Sequence, residues 1–482
     1  MRWLRGVGKA QGAGVIVAWL LLGTISGAMA EEPAVYELDE VLEKAREHAA
    51  LQAEMEAGED LARATRSRAD RARWPRLEAQ SLLAPVPANA DPSRIDANID
   101  EILGLSIGPF FQQTVRIVVP IYTFGRISTV QELGELGVDV ASLKRRRAVD
   151  DHLLETRRAY YGRQLSTSFA EILAEGAQLV TETLEQMEAD RAFGEAEFGT
   201  ADLRRLQIFD AEIEVMALDN ERLYDLTGAA LRHLTDQDTD LRVPPLDAAV
   251  ADVDLHDLST YQAAARSHRH ELRLIQQAVQ ARRIEEDLAR RQIYPNIFVA
   301  GDFRFGWSTE DPALQPVCRR LEPEGLCIDD DTLFARPWAN PFDTLNLGVS
   351  LGMRWDFQPG DFRGRYRQAQ ARHSQMEARR QQVVAGVELE IEQTWRRAHD
   401  ARRRIDIEER RLEAARRWRH QEGLSADLSG EDDIKELIDP IRHFYEAKIA
   451  YLEATHAYLV ARAELGRAVG VQSLSDVDTE SR

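Results

Sequence analysis

His268, His270 and Glu271 stand within four positions of one another. Two imidazoles and a carboxylate are metal ligands by type. The spacing argues against a site, because a zinc-protease helix carries its histidines at i and i+4. Asp329, Asp330 and Asp331 offer hard oxygen donors of the kind calcium takes. A consecutive run of acids reads more simply as a solvated loop. The chain has no P-loop, no glycine-rich dinucleotide fingerprint and no nucleophile elbow. No enzyme activity, cofactor or metal is therefore expected.

Composition narrows the remaining classes. The 482 residues carry a formal charge of −21, with 30% charged and 7% aromatic. Mean hydropathy is −0.40. That excludes a multi-helix transporter, since each helical span needs about 20 apolar residues. Overall acidity speaks against a nucleic-acid partner, which selects a basic patch. Two cysteines exclude a disulfide scaffold or a multi-cysteine zinc fold.

Residues 1–30 read as a signal peptide. Arg2, Arg5 and Lys9 form a basic start, 14–22 is apolar, and Ala28-Met29-Ala30 fits the cleavage pattern. Export places Cys318 and Cys327 in an oxidising compartment, where a disulfide between them is expected.

The elements that would position any site repeat once. Trp74-Pro75-Arg76-Leu77 and Tyr294-Pro295-Asn296-Ile297 each end an arginine-rich helical stretch. Later, Tyr122-Thr123-Phe124-Gly125 parallels Phe357-Gln358-Pro359-Gly360, and Arg158-Ala159-Tyr160 parallels Gln393-Thr394-Trp395, at one shared offset. The reading is a first unit over 31–243, a linker over 244–257 around Pro244-Pro245, a second unit over 258–470, and a polar tail over 471–482. Each unit reads helix, strand, loop, strand, long helix, returning helix.

Strands are expected at about 77–84, 110–122, 296–307 and 345–357. In the last, Leu345, Leu347, Val349, Leu351, Met353, Trp355 and Phe357 share one face, opposite Asn346, Ser350, Arg354 and Asp356. An apolar face opposite a polar one fits a transmembrane barrel or a soluble sandwich equally on pattern. Four strands cannot close a barrel, so several chains must contribute or the edges stay exposed. The span 126–193 has no proline and would make a helix about 100 Å long. The span 363–422 would reach about 90 Å. Such lengths indicate a coiled coil or a helical tube.

Taken in order, these features resemble the TolC-type outer-membrane efflux proteins, also called outer membrane factors. The two aromatic-proline steps carry the likeness, with the run Pro120-Ile121-Tyr122-Thr123-Phe124-Gly125-Arg126. Further matches are Arg158-Ala159-Tyr160-Tyr161, Phe198-Gly199-Thr200, Tyr445-Glu446-Ala447-Lys448 and the ending Leu465-Gly466-Arg467-Ala468-Val469-Gly470. The resemblance implies a mainly α fold with a membrane β-barrel part. A homotrimer would form a twelve-stranded barrel in outer-membrane lipid, continued by a long periplasmic α-helical barrel. It implies the passive exit duct of a tripartite efflux pump or type I secretion system. The implied partners are a periplasmic adaptor (membrane fusion) protein and an inner-membrane transporter.

The resemblance also assigns sites. Glu436 and Asp439 fall where the family carries a constricting acidic pair, and residues three apart share a helix face. Three chains would then bring six carboxylates to a narrow periplasmic gate. Phe198, Gly199, Thr200, Gly423 and Leu424 fall at the helix tips that dock the adaptor. Two departures stand out. Arg205 takes the spacing of an acid in the first tip, with Asp202 nearby, and the segment 423–435 is longer than in the family. The His268–Glu271 segment falls on a plain surface turn. The competing reading is a coiled-coil structural or adhesive envelope protein without transport. Trimeric adhesins, however, keep their four strands contiguous at the C-terminus, whereas here they form two pairs flanked by helices.

Overall fold

The structure, a computed structural model, describes residues 35–88, 106–193, 199–246, 255–308, 344–356, 358–429, 434–472 and 474. The expected signal peptide, Phe198, Cys318, Cys327 and the run 329–331 lie outside these residues.

Prolines decide where helix gives way to strand. Helices α1 (Leu38–Arg46) and α2 (Ala49–Asp70) lead into a 3-10 turn at Arg71–Arg73, and Trp74 is already extended at ψ 155°. The ring of Pro75 disfavours a helical Trp74, and β1 (Arg76–Ala88) begins at once. After the antiparallel strand β2 (Ser106–Tyr122) come α3 (Arg126–Phe193) and α4 (Thr200–Thr235). Helices α5 (Leu258–His268) and α6 (His270–Arg291) then approach Pro295, and β3 (Asn296–Ser308) starts directly behind it. β4 (Thr344–Arg354), α7 (Pro359–Ser429) and α8 (Ile434–Val469) complete the chain. The order helix, helix, strand, strand, long helix, shorter helix thus runs over 38–235 and again over 258–469.

The four strands form one antiparallel sheet in the order β1-β2-β3-β4, so β1 and β4 are its edges. β1 and β2 exceed their expected extents although both contain prolines. Pro85 and Pro87 sit in the edge strand, where a missing donor faces no partner on one side. Pro120 sits beside the register shift between Pro120 and Tyr122. β4 ends at Arg354, short of the expected 357. The Trp355 indole N–H donates to the Ile293 carbonyl at 2.9 Å and draws the chain off the ladder. α7 starts at Pro359, earlier than the expected 363, because a proline is well placed at a first helical position.

Register sorts the two faces of the sheet. Leu347 pairs with Phe303, Phe303 with Val115, and Val115 with Ala79. On the other face Asn346 pairs with Arg304, Arg304 with Thr114, and Thr114 with Gln80. In β4 the apolar side chains Leu345, Leu347, Val349, Leu351 and Met353 are 65–82% exposed. Among the described residues nothing covers this face.

The helices bury their cores in strips. Tyr261, Ala265, Ile391, Ala398 and Leu465 close one strip among α5, α7 and α8. Val41, Tyr160, Leu231 and Leu241 close another where α1 and the end of α4 meet α3. Arg163 is buried in α3. Its guanidinium lies 3.1 Å from the Tyr224 ring centre, donates to the Tyr224 carbonyl and sits 3.5 Å from Asp240. Gly228 makes that possible, since a Cβ there would lie 2.9 Å from the Arg163 Nη1. No helix of the described residues is long and apolar enough to cross a membrane.

Gly470 ends α8 with φ +91°, and a Cβ on it would lie 2.9 Å from the Arg269 backbone. G470A should therefore cost about 2 kcal/mol or more in unfolding measurements. Gly58, with nothing within 4 Å of a built Cβ, is the contrast. G58A should stabilise by about 1 kcal/mol through helix propensity. Equal effects at the two positions would refute the packing account of Gly470.

Three histidines tie α2, α3 and α4. His48 accepts from the Leu51 N–H at 3.1 Å and caps α2, while its Nε2 meets the His233 carbonyl at 3.0 Å. His152 Nε2 meets the Leu234 carbonyl at 2.9 Å, and its ring lies 5.3 Å from that of His48. Burial pushes the His152 pKa down, the Leu234 carbonyl offsets part of this, and the imidazoles of His48 and His233 add to it. Burial alone pushes His456 down. A depressed histidine favours the neutral form in the folded state. Its stabilisation is present above the unfolded pKa of about 6.5 and is lost as pH falls below it. The thermal midpoint should drop between about pH 7.5 and 5. It should drop less steeply in H152Q/H456Q, and parallel curves would refute this origin.

Candidate functional site

The expected gate residues lie at the start of α8. Ile438 and Pro440 are buried and Asp439 between them is exposed. Ile438 packs with Val180, Met187, Leu203 and Leu206, the core of the α3–α4 hairpin near its turn. Both Glu436 and Asp439 lie within α8. Pro440 has no N–H for the carbonyl of Glu436, so the first turns of α8 are short one internal bond.

Charged ties hold this helix start in place. Arg442 reaches Glu212 of α4 at 3.3 Å and Glu446 at 3.0 Å. His443 stands 3.1 Å from Glu446 and stacks on Trp418 of α7. Lys448 reaches Glu175 of α3 at 3.2 Å. Each pair is partly exposed and contributes at most about 1 kcal/mol. Together they connect α8 to three other helices. Burial, and then the neighbouring Glu175, pushes the Tyr445 hydroxyl up to about 12, so it stays protonated. Arg442 follows Asp439 by three positions, so a guanidinium shares the acid's face.

The tip residues divide. Gly199 and Thr200 start α4, where the Gly199 N–H donates to Asp202 Oδ2 at 3.1 Å. Asp202 is buried in the first turn, where a carboxylate offsets the unpaired N–H groups and the helix dipole. Arg205 pairs with it at 3.4 Å. The acid next to the turn is thus a cap, a role the sequence reading did not give it. In the second half Gly423 and Leu424 do not form a tip. α7 runs through them to Ser429. A glycine costs a helix about 1 kcal/mol, and no proline follows to stop it, so the helix continues.

The His268–Glu271 segment is a structural knot. His270 Nε2 lies 3.0 Å from Asp150. Glu271 meets Arg269 at 2.8 Å, Arg467 at 3.1 Å and Arg147 at 3.2 Å. Burial pushes the Asp150 pKa up, and His270 offsets part of it. The Glu271 carboxylate is therefore engaged by guanidinium groups. Among the described residues no three histidines, cysteines or acids are grouped to hold a metal.

Two concave or polar surfaces remain. An apolar groove of about 190 Å³ lies between α3, α4 and α8, lined by Ile172, Phe209, Ile213, Met216 and Ile449. The polar face of the sheet carries Arg116 and Asp302, paired at 2.6 Å across β2 and β3. Neither holds a nucleophile beside a base. What they offer is a polar-faced sheet and long helix surfaces.

Neither a protein-family model nor a curated protein sequence matches the chain. Solved structures do. The CmeC outer membrane channel of Campylobacter jejuni superposes at TM-score 0.69 and 13% identity, covering 98% of this chain and 97% of that one. The outer membrane protein VceC of Vibrio cholerae gives 0.66 and 14%, over 90% and 96%. The open-state MtrE outer membrane channel of Neisseria gonorrhoeae gives 0.67 and 16%, over 90% and 89%.

Asp202→Ala should loosen the first turn of α4 by about 1 kcal/mol. Hydrogen exchange at 200–204 should quicken while that of α1 does not change. Unchanged exchange at 200–204 would show that the cap carries no stability.

Proposed function

We propose that this chain, which has the fold of the TolC-type outer-membrane channels, is the outer-membrane exit duct of a tripartite efflux pump or a type I secretion system. One observation carries the reading. A sheet with an exposed apolar face and a polar opposite face continues into helices of 68 and 71 residues. At 1.5 Å per residue each helix is about 100 Å long. An apolar exterior suits lipid, a polar interior suits water, and the helices are long enough to extend a conduit far beyond the membrane.

In this reading three copies close a twelve-stranded barrel from β1–β4, and their long helices continue it as a tube in the periplasm. The two halves of each chain act as repeated structural units joined near 244–257. Cargo moves passively in this reading. Energy comes from an inner-membrane transporter, joined through a periplasmic adaptor. The α3–α4 turn at 198–200 is a docking tip. In the second half the reversal after Ser429 takes the place expected at 423–424.

The gate reading assigns Glu436 and Asp439 to a ring of six carboxylates from three chains. A ring of acids favours cations and repels anions. Arg442, one turn behind Asp439, tempers its field. Salt pairs from Arg442 to Glu212 and from Lys448 to Glu175 tie α8 to its neighbours, and adaptor binding would break them to splay α8.

The test is single-channel recording in planar bilayers. The wild-type protein should conduct with cation preference and be blocked by divalent cations. E436Q/D439N removes charge at nearly constant volume and should lose most of both properties. Absence of conductance in the wild-type trimer would overturn the duct, and unchanged selectivity in the double variant would overturn the gate assignment alone.

A further inference from the structure

All four strands end on the helix side in an aromatic residue. Trp74 precedes β1, Tyr122 closes β2, Tyr294 precedes β3 and Trp355 follows β4. Their exposures run from 46% to 65%. Phe124 stacks on Tyr294 at 5.1 Å. The apolar face of the sheet has its helix-side ends at Leu77 in β1 and Met353 in β4. Amphipathic rings concentrate where hydrocarbon meets water, so this line marks a membrane boundary if the sheet lies in lipid.

Behind the line stands a band of arginines. Arg71, Arg73 and Arg76 flank β1, Arg290 lies near β3, and Arg363 and Arg367 follow β4. All six are exposed. None pairs with a carboxylate of another described residue; Arg71 alone has a partner, the Trp74 ring at 5.7 Å. Their neighbours behave differently. Arg63, Arg66, Arg282, Arg291 and Arg365 each have a carboxylate within 4 Å. The contrast matters because the chain holds 82 acids against 61 lysines and arginines. Exposed arginines without a carboxylate also occur farther along the helices, at Arg146, Arg380, Arg403 and Arg404, and the six here differ in standing next to the aromatic line, where an outside anion at a membrane surface would meet them. They span the sheet from the β1 edge to the β4 edge.

We propose that this band binds the phosphodiester headgroups of anionic phospholipids on the periplasmic side of the membrane, resting on the barrel reading above. A guanidinium presents two parallel N–H groups that match two phosphate oxygens. Arg363 is one helical turn from the start of α7, about 6 Å along its axis, which is headgroup depth. Arginine stems let the charge reach back toward the interface from slightly further away. Basic clusters next to a membrane segment favour anionic lipid near the surface. Free phosphate has the same chemistry, but the aromatic line and the exposed apolar face point to lipid.

The full-length protein is reconstituted into vesicles of phosphatidylethanolamine and phosphatidylcholine, with and without one quarter phosphatidylglycerol. Incorporation is read by flotation and stability by the thermal midpoint. The protein should float with both vesicles, and its midpoint should be higher with phosphatidylglycerol. High salt should shrink that rise, and R71Q/R73Q/R363Q/R367Q should abolish it. An equal midpoint in the two vesicles overturns the proposal, as does a rise retained by the quadruple variant. Inorganic phosphate added to neutral vesicles should give no rise, and an equal rise would assign the band to a free anion instead. A protein that floats with neither vesicle overturns the barrel reading and this inference together. A second measurement needs no variant. Native mass spectra of the wild-type protein in an equal mixture of phosphatidylglycerol and phosphatidylcholine should retain phosphatidylglycerol preferentially, and retention without preference overturns the proposal.

Discussion

Two unpaired strand edges govern this molecule. β1 and β4 each pair on one side only, and the backbone groups on their outer sides have no strand partner among the described residues. In water such edges invite aggregation. In hydrocarbon each unsatisfied group costs several kcal/mol, so only a closed sheet survives there. The exposed leucines and valines of β4 make water equally unsuitable. Closure between copies answers both problems. In the proposed barrel it would remove the edges, put the apolar face in lipid and leave Arg116, Asp302 and Arg304 facing an aqueous interior. Pro85 and Pro87 fit this scheme, because they limit which registers the β1 edge accepts.

The helices inherit their arrangement from the sheet. Each pair of strands hands the chain to a long helix on the same side, and a second helix returns along it. Length makes these helices poor at burying a compact core, so their apolar contacts come as separate strips. Between the strips, arginine–acid ties carry the register. The knot of Arg269, Arg467, Glu271 and Glu390 joins α6, α7 and α8, and Gly470 lets the chain pass close over Arg269. Partly exposed pairs of this kind add little stability each. They suit a structure in which helices shift against one another, because breaking one costs little.

Much of this was legible in the sequence. Pro75 and Pro295 marked the entry into β1 and β3, and period-two alternation marked β3 and β4, because local sterics and burial act on neighbouring residues. Extents were less legible. β1 and β2 hold four prolines between them, which ordinarily argue against a strand, and only pairing with the rest of the sheet shows that an edge and a register shift accommodate them. Gly423 looked like a helix stop, yet α7 passes through it, since a single glycine is a weak breaker when no second signal follows. Asp202 was noticed only for its place near a tip. Its role as a cap depends on the approach of the Gly199 N–H, a geometric fact that residue spacing only hints at. The charge band is legible as composition, but which arginines lack acids depends on how the helices fold together.

The central claim is closure of the sheet between copies, and the mass of the folded particle tests it most directly. Native mass spectrometry of the detergent-solubilised protein, released from its detergent in the gas phase, should give three chains and no monomer at working concentrations. A folded monomer with an intact sheet would contradict the account, because β1 and β4 would then be stable as open edges.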